Sequence, residues 1–290
     1  MNQTTSLITS APLRGAAIMT AAGAAFAGLN VATQWATMTA GASARAAALG
    51  QYLIALALGV PLIGRDWQAL KTSHFGLHII RVLLAAAGVQ VWVYGLSVVP
   101  IWQAIALAMT SPFFVVAGAA LILGERVTPP RITAVAVGFT GAMIILAPWS
   151  EAFSWHALLP VAAAALWAGT SLATKRLTAF EPASGITVYL LLLLTPLNLL
   201  VWAGSGLAMP PAAAWAALLI GGALTALAQY LLTAAYASAD ATYLQPFDDL
   251  KLPLNILLGW LVFGFAPTLG FWPGAALIVA ASLYLMRRES

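Results

Sequence analysis

Three ionisable side chains within four residues, Asp248, Asp249 and Lys251, stand inside a stretch hydrophobic enough to cross a bilayer, centred on Tyr243 to Asn255. A carboxylate or ammonium near the bilayer centre costs about 2.5 to 3.5 kcal/mol on insertion scales, so these groups must face protein, water or a bound solute. At helical spacing Asp248, Lys251 and Asn255 fall at i, i+3 and i+7 on one stripe, with Asp249 turned partly aside. Pro246 and Pro253 each remove a backbone donor, which loosens the helix around the stripe and frees carbonyls. A zwitterionic amino acid would present its carboxylate to Lys251 and its ammonium to one of the two acids. The same groups also allow a purely internal Asp248–Lys251 ion pair at i, i+3. Two acids against one lysine leave a surplus negative charge, so one acid can carry a proton during part of a cycle. Hydrolysis by an aspartyl dyad fits badly, because adjacent residues on a helix point about 100° apart.

Other apolar segments carry matching polar stripes. Asn30 and Gln34 are four apart, as are Gln90 and Tyr94; Gln229, Thr233 and Tyr236 form a third set. Such side chains can simply hydrogen-bond neighbouring helices, worth roughly 0.6 kcal/mol each, or they can line a shared cavity. Tryptophan and tyrosine also crowd the spans, at Trp35, Trp92, Tyr94, Trp102, Trp167, Tyr189, Tyr230, Tyr236 and Tyr243. Many such rings form interfacial belts. Trp167 falls near mid-depth, and Tyr94 follows Gln90 on one face, so with Trp102 they are expected to pack against an aromatic or amphipathic solute. The expected substrate-binding set is Asn30, Gln34, Gln90, Tyr94, Trp102, Trp167, Ser171, Gln229, Tyr236, Asp248, Lys251 and Asn255.

Those residues need helices in lipid to position them. With 62% hydrophobic and 7% charged residues over 290 positions, a water-soluble globule would lack the charge to cover its surface. A crossing takes about 20 residues, and the charge-free runs between Arg81 and Glu125, Glu181 and Asp240, and Lys251 and Arg287 hold 43, 58 and 35 residues. Ten helices are expected, near 15–38, 46–64, 78–98, 101–123, 131–147, 156–174, 184–203, 212–236, 240–263 and 267–286. With ten spans and a cytoplasmic N-terminus, Arg14, Arg65, Lys71, Arg81, Arg126, Arg131, Lys175, Arg176, Arg287 and Arg288 fall on one side and only Arg45 on the other. That bias is the positive-inside signature and puts both termini in the cytoplasm. The polar start, Met1 to Pro12, lacks a basic region, and the apolar run after it is too long for a signal peptide, so no cleavage is expected.

The chain also matches itself at an offset close to 141. Phe26-Ala27-Gly28-Leu29-Asn30 aligns with Trp167-Ala168-Gly169-Thr170-Ser171, Pro112 with Pro253, and Gly124 with Gly264 after a one-residue slip. Two units of five spans, 1–148 and 149–290, would enter the membrane from opposite sides because five is odd. Inverted repeats place a ligand near the midplane at their interface and exchange roles during alternating access.

These segments resemble the drug/metabolite transporter superfamily, of the ten-helix EamA type. Its halves begin with a Trp-Gly-x-Asn-like segment and contain a helix ending in Gly-Glu. Phe26 stands for Trp and Ser171 for Asn; Gly124-Glu125 is intact, whereas the second copy reads Gly264-Phe265. The resemblance implies an all-α integral membrane protein of two inverted five-helix repeats, multi-pass in the bacterial inner membrane. Through its overall pattern, the Trp167 segment and Phe271-Trp272-Pro273-Gly274-Ala275, the chain is most similar to YddG-type exporters. This implies outward transport of aromatic amino acids or related amphipathic metabolites, with no cofactor.

Other chemistry finds less footing. His74 and His78 lie four apart, but Phe75 stands where a zinc peptidase carries its glutamate and no third ligand is evident, so an interfacial structural role is expected and no metal site. No Gly-x-x-x-x-Gly-Lys-Ser/Thr loop is present for nucleotide, and the placement of the +4 net charge argues against nucleic acid. With no cysteine there is neither disulfide nor thiolate site. Glu125 and Arg126 are expected to cap and anchor the fourth span, and Glu125 is a candidate for closing an inner gate. A receptor or scaffold would have little use for buried charge on a kinked helix. Oligomeric state is left open.

Overall fold

The computed structural model describes residues 3–63, 67–98, 107–108, 110–146, 155–204, 206–264, 269 and 271–289. These residues are helical and turn structure, without a β-strand among them. The helices are α1 (Gln3–Gln34), α2 (Ala44–Gly59), α3 (Phe75–Val98), α4 (Ser111–Gly118), α5 (Pro129–Leu146), α6 (Leu158–Leu177), α7 (Ala183–Ala203), α8 (Trp215–Ser238), α9 (Ala241–Asp248), α10 (Lys251–Phe263) and α11 (Phe271–Glu289). Single π-helical turns extend α1 over Trp35–Thr39 and α4 over Ala119–Leu123. Among the described residues three stretches are, by length and composition, long and apolar enough to cross a bilayer, Pro12–Thr39, Ala183–Ala203 and Ala212–Ser238, and there are shorter apolar helices besides.

Alanine packs much of the interior. Ala22, Ala27, Ala119, Ala163, Ala164, Ala228 and Ala235 are fully buried or nearly so, and such small side chains let helix backbones approach closely where lipid supplies no hydrophobic drive between helices. Large apolar side chains point outward instead, including Leu121, Ile122, Leu219, Ile220, Leu261 and Val262. In water that surface would be an association hazard; against acyl chains it is the ordinary solvent face.

Two pairings use the repeated glycines in the same way. A Cβ on Gly28 of α1 would come 3.0 Å from Leu224 Cδ1 of α8, and one on Gly169 of α6 would come 3.1 Å from Leu84 Cδ1 of α3. Each glycine therefore admits a leucine from the other half of the sequence. Gly124 and Gly264 also correspond, with φ of +68° and +73°. They close the π turn after α4 and the end of α10 in the left-handed region, where a side chain would be strained.

The span expected at 240–263 is divided into α9 and α10 at Asp249 and Leu250. Pro253 has no N–H to give the Asp249 carbonyl four residues back, and Leu252 N donates to that carbonyl instead at 3.1 Å. The tighter turn is the local consequence of the missing donor. Pro246, inside α9, has its carbonyl satisfied from another helix, by Ser282 Oγ of α11 at 2.6 Å.

Candidate functional site

The break between α9 and α10 carries the charged cluster. Asp248 is the last residue of α9 and Lys251 the first of α10. Lys251 Nζ donates to Asp248 Oδ2 at 2.7 Å, so the ion pair straps the break. The Lys251 side chain retains 31% of its exposure and that of Asp248 18%, so neither is sealed inside the protein. Asp249 is 4% exposed and faces α5, where a Cβ on Gly138 would come 2.9 Å from Asp249 Oδ2.

One turn along α10, Asn255 Nδ2 donates to the Lys251 carbonyl at 2.7 Å, while its Oδ1 accepts from Asn30 Nδ2 of α1 at 2.9 Å. Gly23 of α1 gives this crossing its room, since a Cβ there would sit 3.3 Å from Lys251 Cβ. Lys251, Asp248, Asn255 and Asn30 thus form one polar run from the break into the first half of the chain. Gln34, one turn beyond Asn30, donates to Met38 Sδ at 3.4 Å.

Tyr236 of α8 is 2% exposed, and its hydroxyl interacts with Ser171 of α6 and Gln245 of α9 and feels the Asp248 carboxylate. It stands behind the charged cluster and ties three helices together. Gln229 lies on the same helix, its carbonyl accepting from Thr233 Oγ1 at 2.8 Å. Trp167 lies over Gly88 of α3, where a Cβ would come 2.7 Å from the indole, and its ring centroid is 5.5 Å from that of Trp92. The two indoles make a tilted aromatic wall between α3 and α6. Gln90 and Tyr94 belong to α3, but their side chains lie outside the described residues, as do Trp102 and Phe265.

Three polar arrangements were not legible in the sequence. Glu125 caps α9 rather than its own span: its carboxylate accepts from Ala241 N at 2.9 Å, Thr242 N at 3.1 Å and Thr242 Oγ1 at 3.0 Å. Two orphan donors at a helix N-terminus are satisfied by a residue more than a hundred positions away. Arg131 closes the same contact by donating to Asp240 Oδ2 at 3.0 Å and Thr242 Oγ1 at 2.6 Å. Near the start of α3, Glu181 gathers His78 at 2.8 Å, Thr72, and His74 at 3.8 Å, with His78 stacked on Tyr189 at 4.3 Å between centroids. Within α1, α2 and α8, Thr33 Oγ1 donates to Gln51 Oε1 at 3.0 Å and Gln51 Nε2 to Thr225 Oγ1 at 2.8 Å. The Glu125 contact had a signal, its place in the Gly-Glu motif, but the partner lies on a helix that only folding brings near.

A shallow groove of about 250 Å³ on the outer surface, lined by Phe113, Val116, Ile132 and Val135 among others, is apolar and distant in character from this chemistry. It suits a lipid chain better than a polar solute. Among the described residues no group of three metal-ligating side chains could hold an ion.

The pattern of the EamA-like transporter family matches residues 13–147. A protein of Brucella anthropi named "Riboflavin transporter" is 57% identical over 278 residues, spanning 94% of this chain and 98% of its own. The chain belongs to the EamA-like transporter family. A second relative, from Rhizobium johnstonii and also named "Riboflavin transporter", is 55% identical over 100% of this chain and 96% of its own. A solved structure described as "Crystal structure of protein" superposes with a TM-score of 0.78 at 20% identity, covering 96% of this chain and 98% of that one, which shows the shared fold. The protein is therefore a bacterial-type membrane transporter of small molecules, and its relatives are named as transporters rather than enzymes. The expected likeness to YddG-type exporters gives way to a likeness to proteins named riboflavin transporter, two of which match 94% and 100% of the chain at better than half identity.

Proposed function

We propose that this protein carries riboflavin, or a flavin very like it, across the bacterial inner membrane, by alternating access between two inverted five-helix repeats, 1–148 and 149–290. The observation that carries this is the likeness to two proteins named riboflavin transporter over essentially the full length of all three chains. The side-chain chemistry agrees with it. A zwitterionic amino acid requires a free ammonium and a free carboxylate, whereas Lys251 and Asp248 are already paired at 2.7 Å. A neutral solute asks for no such exchange. Riboflavin is neutral, with a flat tricyclic ring, a uracil-like edge of alternating donors and acceptors, and a hydroxylated chain. Trp167 and Trp92 offer an aromatic wall for the ring, and Asn30, Gln34 and Asn255 offer amides for the uracil-like edge or the hydroxyls. Ser171, one turn after Trp167 on α6, and Tyr236, whose hydroxyl it meets, add polar groups beside that wall, and Gln229, Gln90, Tyr94 and Trp102 complete the set expected from the sequence. The termini lie in the cytoplasm by the positive-inside bias, and the direction of net movement follows the solute gradient and any coupling ion.

The test is riboflavin counterflow in liposomes containing the purified protein. Labelled riboflavin should exchange, and unlabelled riboflavin should compete. Excess tryptophan, phenylalanine or the charged flavin mononucleotide should compete poorly. Competition by tryptophan as strong as by riboflavin would return the reading to aromatic amino acids.

A further inference from the structure

The charged cluster holds two acids and one lysine, and the lysine is committed to Asp248. Asp249 is left with no hydrogen bond or ion pair to its carboxyl among the described residues, at 4% exposure and pressed against the α5 backbone at Gly138. An ionised carboxylate taken from water without a donor or countercharge is far costlier than its neutral acid. Its position adds a second observation, because Asp249 sits at the junction of α9 and α10 beside Pro253, whose missing N–H weakens the helix there.

We infer that Asp249 is a proton-binding site that couples solute movement to a proton, the Asp248–Lys251 pair beside it staying intact. In the arrangement described, the proton on Asp249 and the Asp248–Lys251 pair make the break electrically neutral. When water reaches Asp249, the proton departs from its carboxyl to that water, and the resulting carboxylate is held by hydration. One proton is bound and released per cycle, and no other bond changes.

The charged groups acting on Asp249 are Asp248 and Lys251. The elements packed on α9 carry further ionisable side chains. Arg131 of α5 is engaged with Asp240, Lys175 of α6 donates to the Tyr236 and Ala239 carbonyls, and Arg176 lies over Phe180. Tyr236 of α8 interacts with Ser171 and Gln245. Arg14 lies about three turns into α1, Tyr230 precedes Tyr236 on α8, and Tyr284, Arg287, Arg288 and Glu289 lie in the last turns of α11; α4 has no ionisable residue.

The inference rests on the transport reading above, and its test separates the two. Infrared difference spectra of the wild type minus D249N, recorded in detergent at neutral pH, should show a protonated carboxyl band that is absent from D248N-subtracted spectra. This arm needs no substrate. In liposomes, flux driven by an imposed pH gradient is then divided by counterflow in the same preparation. The wild type should show gradient-driven riboflavin movement with a matching proton flux reported by a trapped pH dye, and D249N should lose both. A spectrum without the protonated carboxyl, or a D249N variant with an undiminished gradient response, overturns the proton site. Wild-type protein that shows the carboxyl band but exchanges no riboflavin refutes the flavin reading and leaves the proton site standing.

Discussion

Asn30 and Asn255, 225 positions apart, share a hydrogen bond of 2.9 Å that joins α1 to the half-helix carrying Lys251. It lies at an exposed position, where a solute can compete for either amide. Because Asn255 also holds the Lys251 carbonyl, an amide engaged by solute is read directly at the break.

Replacing Asn30 with alanine should therefore weaken solute binding more than it weakens the fold. Loss of one neutral hydrogen bond costs about 1 kcal/mol, so the KM for riboflavin counterflow should rise roughly fivefold while the melting temperature in detergent stays close to the parent's. An unchanged KM would remove Asn30 from the binding set.

Trp167 should be replaceable by another ring but not by a small side chain. Aromatic stacking contributes roughly 0.5 to 1.5 kcal/mol beyond area burial, so W167F should keep most counterflow and W167A should lose several-fold in apparent affinity. G88A probes the same wall from behind, because its Cβ would meet the indole at 2.7 Å. Overpacking of that kind costs about 1 to 3 kcal/mol. Lower thermal stability together with impaired riboflavin exchange is the expected outcome for G88A.

Glu125 holds the start of α9 through three hydrogen bonds, and the corresponding motif position in the second half is Phe265. E125A should cost about 1 to 2 kcal/mol by uncapping the helix, and should increase labelling of a cysteine introduced at Thr242. E125Q keeps an acceptor and should fall between. If neither variant alters labelling, the contact does not hold that end of α9 closed.

Glu181 is the shared acceptor for His78 and Thr72, with His78 fully buried. E181A should leave those donors without their partner, at a cost of about 1 to 3 kcal/mol each. Thermal unfolding in detergent should register the loss, and transport by the surviving folded fraction should keep its KM. A melting temperature equal to the parent's would show that water replaces the carboxylate without penalty.

Several features were legible without coordinates because they depend on local composition or spacing. The apolar runs specified helices near their observed limits, the α8 stretch ending at Ser238 against an expected 236. Pro253 marked a weakened helix, since a missing N–H acts within one turn. Its outcome as two half-helices, with Asp248 and Lys251 on either side, needed the neighbouring helices that hold the halves in place. The i, i+3 spacing of Asp248 and Lys251 allowed an ion pair, and the structure forms it at 2.7 Å.

The chain's own letters determined that its solvent is lipid, that its helices are apolar and about a membrane thick, and that rare charges collect on one of them. Those follow from transfer energies and helical periodicity, which act residue by residue. Tertiary structure alone decided that Glu125 caps α9, that Glu181 collects His78, and that Asn30 meets Asn255. It also decided which of two adjacent aspartates pairs with Lys251 and which faces Gly138. A hydrogen bond reaches about 3 Å and carries no record of sequence separation, so partners more than a hundred residues apart are chosen only when the helices pack.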